Sequence, residues 1–190
     1  QAVASVGQTE LMNLYSKFFF GYGQIVGQVL MTRDIIEFPT SRLNAINTFE
    51  QLLLKGIIPI VNENDTVAVD ELDHLTKFGD NDRLSAVVSE ITSADLLIML
   101  SDIDGFYNKN PNDEPDAILF HEIHTITDDL YALAGGEGSR YGTGGMSTKL
   151  LAANHILQEG SQMVLANGED PTIIFDIIHG QEIGTLFSAH

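Results

Sequence analysis

Ile57-Ile58-Pro59-Ile60-Val61-Asn62-Glu63-Asn64-Asp65 is apolar over its first five residues and abruptly polar over the rest. Successive side chains of an extended chain point to opposite faces, so an unbroken apolar run predicts a strand covered on both sides. That is the condition of a parallel sheet in an α/β protein. Pro59 has no N–H to give to a ladder, which argues against a fully central position. Ligands of open α/β sheets lie beyond the carboxyl ends of the strands, so the polar exit Asn62 to Asp65 is where a site is expected.

The flanking sequence repeats this pattern. Ser41 reads as the N-cap of a helix from Arg42 to Lys55, with Leu43, Ile46, Phe49, Leu52 and Leu53 at helical spacing and Gly56 as its stop. Upstream, a helix ending in Tyr15 to Phe20 is halted by Gly21 and Gly23, and Ile25 to Met31 has strand character. Downstream come a helix from about Asp82 to Ser93, a strand from Asp95 to Ser101, a helix from Lys149 to Glu159 closed by Gly160, and a strand from Met163 to Ala166. A short helix then starts at Pro171 and ends at Gly180. This alternation predicts α/β layers, and 190 residues support one sizeable core, read as a single domain over residues 1–190. Two segments interrupt it, polar and hairpin-like Thr66 to Lys77 and Asn108 to Ile123 with Pro111 and Pro115; both read as excursions covering a ligand.

Polar residues gather where strands end. Besides Asn62 to Asp65, there are Gly79-Asp80-Asn81-Asp82 before a helix and Ser101-Asp102-Ile103-Asp104-Gly105 after a strand. Each alone has an ordinary reading as a turn or a helix cap, but their common placement favours ligand contact. The stretch Gly142-Thr143-Gly144-Gly145-Met146-Ser147-Thr148-Lys149 adds a glycine-rich loop that runs into a helix. Ser147 and Thr148 are suited to capping that helix, whose unpaired N–H groups and positive dipole end, with Lys149, make an anion site. The spacing is not that of a P-loop, because Met146, Ser147 and Thr148 separate Gly145 from Lys149. The plainer reading of that loop is a flexible turn before a surface lysine.

Composition narrows the function classes. The formal net charge is −18, from 27 acidic and 9 basic residues, so a nucleic-acid backbone would be repelled over most of the surface. A small anionic ligand would need a local positive trap and a divalent cation. There is no cysteine, hence no disulfide or thiolate chemistry. No apolar run approaches the roughly 20 residues of a membrane span, and no basic, apolar leader is present, so a cytoplasmic location is expected. His74, His121, His124, His155, His179 and His190 form no familiar metal pattern, and no metal ligands are assigned among the side chains. The aromatic group Tyr15, Phe18, Phe19, Phe20 and Tyr22 is read as core rather than as an interface patch. Gln1 to Gly7 reads as the inside of a helical turn, as though the chain began part-way through a fold.

Leu100 to Gly105 has some likeness to the nucleophile segment of haloacid dehalogenase-type phosphatases. That segment lies mid-chain here, and Phe106 stands where a Thr or Val is expected. The glycine-lysine loop is also left unexplained. Taken in order, Asn62 to Asp65, Gly79 to Asp82 and Gly142 to Lys149 instead resemble the amino acid kinase family. The likeness runs from Val6-Gly7-Gln8 through Gly27-Gln28-Val29-Leu30 to Gly184-Thr185-Leu186-Phe187, and it is strongest to members that phosphorylate a glutamate side chain.

The resemblance implies an αβα sandwich with a mostly parallel central sheet. It further implies transfer of the γ-phosphoryl group of ATP, with Mg2+, to the side-chain carboxylate of L-glutamate as the first step of proline synthesis. By position, Asp65 and Asn81 hold glutamate, with Asn62 and Asp80 supporting them. Ser101, Asp102 and the run Thr143, Gly144, Gly145, Met146, Ser147, Thr148 and Lys149 bind the nucleotide. Lys149 and Asp82 are the catalytic pair, Asp82 as an organiser of lysine ammonium groups. The family pattern also has a second catalytic lysine in an earlier glycine-serine loop and a serine-glycine segment for glutamate, neither of which this sequence contains; the expectation is a kinase domain without its N-terminal portion and without a PUA domain. A homo-oligomer, dimer or tetramer, and feedback inhibition by proline are implied too. A non-catalytic nucleotide- or amino-acid-binding fragment, and a kinase of the same fold with another acceptor such as acetylglutamate or carbamate, remain open at this point.

Overall fold

A computed structural model of the chain describes residues 2–67, 80–135 and 145–189. They belong to two compact units, Gln1–Leu84 and Ser85–His190, each considered by itself.

The first unit contains α1 (Ala2–Phe20), β1 (Ile25–Met31), α2 (Asp34–Glu37), α3 (Pro39–Leu54) and β2 (Ile57–Glu63). The doubly apolar segment is β2, and it pairs in parallel with β1 from Ile25↔Ile57 to Met31↔Glu63. Asn64 N–H donates to the Met31 carbonyl at 2.8 Å, which carries the ladder into the polar exit. The helix before β2 starts earlier than its sequence suggested. Pro39 occupies its first turn and Ser41 lies inside it, because the fixed φ of proline suits the first helical position and its missing N–H would be unpaired there anyway. Phe49 is the α3 side chain taken fully into the core.

The aromatic residues of α1 are not core. No residue of α1 is buried, and Phe18, Phe20 and Tyr22 are 64, 80 and 86% exposed. Helix α1 contacts β1, yet that contact buries none of its residues. Tyr15 and Phe19 stack on each other with ring centroids 6.3 Å apart.

Helix α4 (Asn81–Thr92) begins in the first unit and continues into the second, which adds β3 (Leu96–Ser101), β4 (Glu122–Ile123), α5 (Asp128–Gly135), α6 (Gly145–Gln158), β5 (Gln162–Asn167), α7 (Ile173–Ile178) and β6 (Thr185–Phe187). The sheet order is β3-β5-β6-β4. Strands β3 and β5 are parallel, as are β4 and β6, while β5 and β6 run antiparallel. Strand β5 is buried on both faces with the period of two that a covered strand requires. Met163 and Leu165 meet Leu150, Ala153 and Ile156 of α6 and Tyr131 of α5, whereas Val164 and Ala166 meet Ile177 of α7. This unit is helix, sheet, helix. Leu150, Ile156, Met163, Leu165 and Phe187 are wholly buried, each worth about 1.5–3 kcal/mol relative to exposure.

Candidate functional site

In the first unit the anticipated residues stand at two element ends. Asn62 ends β2 half-buried; its Nδ2 donates to Gln8 Oε1 at 3.0 Å and its Oδ1 accepts the Glu63 N–H at 2.9 Å. Asp65 is exposed in the turn that follows. At the start of α4, Asp80 Oδ1 accepts the Arg83 N–H at 2.9 Å. Asp80 is therefore the helix cap, which satisfies one of the unpaired N–H groups of the first turn. Asn81 is exposed in that first turn, and Asp82 is half-buried beside it, an acidic side chain at the positive end of a helix. Gly79 and most of Thr66 to Lys77 fall outside the described residues.

In the second unit the polar exit of β3 and the start of α6 share one cleft of about 400 Å³. Its lining includes Asp102, Asp104, Tyr107, Asn112, Met146 and Lys149, with Gly145 and Pro111. Ser101 lies just behind it, its Oγ donating to Asp102 Oδ1 at 3.1 Å and its carbonyl accepting the Gly168 N–H at 2.8 Å. Helix α6 starts at Gly145, a turn before the expected Lys149. Ser147 and Thr148 thus lie within the first turn rather than capping it, and Lys149 follows at the start of the second. Thr148 Oγ1 donates to the Gly145 carbonyl at 2.9 Å, and Ser147 is buried at 2% exposure. Gly142, Thr143 and Gly144 lie outside the described residues.

The cleft wall also contains residues that the sequence did not single out. Asp104 accepts from Asn167 Nδ2 at 2.9 Å through Oδ1 and from the Tyr107 hydroxyl at 3.1 Å through Oδ2. Burial first, then the hydrogen bond to Asp104 and that carboxylate's charge, hold the Tyr107 phenol above its ordinary pKa. Gly105 is required where it stands, because a Cβ there would lie 2.6 Å from Thr185 Oγ1. Thr185 is wholly buried; its Oγ1 accepts the Phe106 N–H at 2.8 Å and donates to the Phe120 carbonyl at 2.6 Å. These bonds fasten the cleft-lining loop to β6. Asp104 stood in the polar exit of β3 without a role of its own, Pro111 and Asn112 belong with the segment read as an excursion over a ligand, and Tyr107 lies just before that segment.

The basic residue among the described lining residues is Lys149. Nearby Lys109 is committed elsewhere, at 2.7 Å from Asp116 and 2.9 Å from Glu114, and the hydrogen bonds to these carboxylates raise its pKa. A half-buried lysine, the N-terminal turn of a 14-residue helix and two aspartates on one cleft wall suit a polyphosphate chain accompanied by a hard dication.

The amino acid kinase family model matches residues 1–167. Glutamate 5-kinase of Listeria monocytogenes is 65% identical over the whole of this chain, which spans 68% of that enzyme. Glutamate 5-kinase of Enterococcus faecalis is 64% identical over 98% of this chain and 69% of its own length. The chain belongs to the amino acid kinase family, among its glutamate 5-kinases. Solved structures agree on the fold. An isopentenyl phosphate kinase in its substrate complex superposes with a TM-score of 0.63 at 19% identity, covering 96% of this chain and 67% of that one. UMP kinase from Bacillus anthracis superposes at 0.56 with 17% identity, covering 88% and 59%. The expected amino acid kinase fold with a mostly parallel sheet is thereby borne out. Among the described residues no helix is long and apolar enough to cross a membrane.

Proposed function

We propose that this protein transfers the γ-phosphoryl group of ATP to the side-chain carboxylate of L-glutamate, giving L-glutamate 5-phosphate and ADP at the entry to proline biosynthesis. The 65% identity to a glutamate 5-kinase along the entire chain carries this reading; the acidic, lysine-bearing cleft is the local chemistry that agrees with it. A glutamate side chain with an ordinary pKa of about 4.3 is already an anion at neutral pH, so the acceptor needs no general base. A carboxylate oxygen attacks the γ-phosphorus while the bridging oxygen leaves with ADP. Positioning and positive charge on the non-bridging oxygens are what remain to be supplied.

In this reading Lys149 places its ammonium group against the transferred phosphoryl group, and the N-terminal N–H groups of α6 receive neighbouring phosphate oxygens. Ser101 and Asp102 border the nucleotide, with the loop from Thr143 to Thr148 around its phosphates. Asp102 and Asp104 are oxygen donors suited to Mg2+, which supplies charge neutralisation when it is bound with ATP. Asp65 and Asn81 hold glutamate, and Asn62 and Asp80 keep their segments in place through the Gln8 and Arg83 bonds. Asp82 orients ammonium groups and is not a proton acceptor. The family model spans both units, which supports their acting as one kinase domain. Family membership also supports a cytoplasmic homo-oligomer, dimer or tetramer, inhibited by proline.

Glutamate-dependent ADP release by the full-length gene product tests the division of roles. Lys149→Ala is expected to lower kcat about 10²–10³-fold with little change in the KM for glutamate. Asp65→Ala is expected to raise that KM roughly 10–100-fold while leaving more of kcat. Equal losses in both parameters for both variants would contradict these roles.

A further inference from the structure

We propose that Glu90, His155 and Glu159 form a second cation site, within the Ser85–His190 unit, that takes a transition-metal dication of the zinc type. His155 Nε2 lies 3.1 Å from Glu90 Oε2, and one ligand atom from each of the three groups lies within 4.8 Å of the others. Ligand atoms bound to a dication at roughly 2.0–2.2 Å stand about 3–3.5 Å apart in a tetrahedral shell, so modest side-chain rotation closes the set. His155 and Glu159 are four residues apart on one helical face; the Glu159 N–H donates to the His155 carbonyl at 3.2 Å, so the turn continues through both. Glu90 comes from α4 and completes the set from a second element. None of the three lines the nucleotide cleft.

The placement of the carboxylates points to a cation. Glu90 lies in the last turn of α4 and Glu159 just beyond α6, where exposed carbonyls make a helix end negative and basic side chains are favoured. The last turn of α4 has no basic residue. Two carboxylates near two negative helix ends, in a chain of net charge −18, make a local field that attracts a cation.

The frame around the cluster is fixed. Helix α4 closes with Ser93 N–H on the Glu90 carbonyl and Ala94 N–H on the Ser89 carbonyl, both at 3.0 Å. Helix α6 closes in the same way, with Gly160 N–H on the Leu157 carbonyl and Ser161 N–H on the Ile156 carbonyl, both at 3.1 Å; Gly160 has φ of +77°. Ser161 Oγ donates to the Ala94 carbonyl at 2.9 Å, tying one cap to the other. The ligand-bearing ends are held together before any ion arrives, which lowers the ordering cost of binding. An imidazole nitrogen with two carboxylates suits Zn2+, Co2+ or Ni2+ better than Mg2+, which favours an all-oxygen octahedron.

The test is titration of chelator-stripped full-length gene product with Zn2+ in millimolar Mg2+, beside the variants Glu90→Gln, His155→Gln and Glu159→Gln. One Zn2+ per chain is expected, with affinity weakened about tenfold or more in each variant. At the same zinc concentration the Tm of the wild type should rise more than that of each variant. Glu159 is exposed, so Glu159→Gln keeps the fold and keeps the comparison decisive if Glu90→Gln unfolds. Absence of binding would overturn the site and leave only the Glu90–His155 hydrogen-bond contact. Zinc retained undiminished by all three variants would also overturn it, as an adventitious ion only.

Discussion

At the residue scale, the same side-chain chemistry takes different roles according to what surrounds it. Asp80 is spent on the α4 cap, Asp104 is held by Tyr107 and Asn167, and Asp65 is exposed beyond β2. Asp170, in the loop after β5, is simpler. Its carboxyl accepts the Thr172 hydroxyl at 2.7 Å and the Thr172 N–H at 3.0 Å, and these bonds, the hydroxyl foremost, lower its pKa below the ordinary 3.8. A depressed carboxyl pKa stabilises the fold above the unfolded value, and that contribution fades as pH falls through the folded value, so the window lies below about pH 4. Thr172→Val removes the hydroxyl and is expected to move Asp170 upward in an NMR pH titration. An unmoved Asp170 would show that the backbone N–H alone sets it.

At the element scale, β3, β5 and α6 were legible because their apolar periods are long and consistent. Ile57 to Val61 announced a strand that pairs in parallel, although β2 is half-buried along its length rather than covered, and Leu150, Ala153 and Ile156 turn to the core as a helical face should. Element starts were less legible. Pro39 begins α3 through its fixed φ, and Gly145 is already helical, although glycine is a weak helix former whose sequence neighbours read as loop. Tyr107 and Asn112 could not be assigned to the cleft because tertiary folding, not local pattern, brings the excursion and the residue before it beside α6. The attachment of that loop to β6 is testable. Thr185→Val orphans the Phe106 N–H and the Phe120 carbonyl and is expected to cost about 1–3 kcal/mol in urea unfolding. An unchanged midpoint would mean that these bonds do not secure the loop.

At the scale of the whole molecule, the fold class was readable, while the fate of α1 was not. Aromatic content signals burial, yet Phe18 and Phe20 of α1 and Tyr22 just beyond it stay exposed because no described element covers them. Solved relatives of the same fold include kinases named for isopentenyl phosphate and UMP, so the fold alone leaves open whether the acceptor is a phosphate or a carboxylate. The product settles it, since a phosphorylated carboxylate is an acyl phosphate and reacts with hydroxylamine. The full-length gene product, given Mg2+, ATP and L-glutamate in the presence of hydroxylamine, should form γ-glutamyl hydroxamate in step with ADP, and acetylglutamate or carbamate in place of glutamate should give far less ADP. ADP formed without hydroxamate, or no dependence on glutamate, would contradict the assignment as a glutamate kinase.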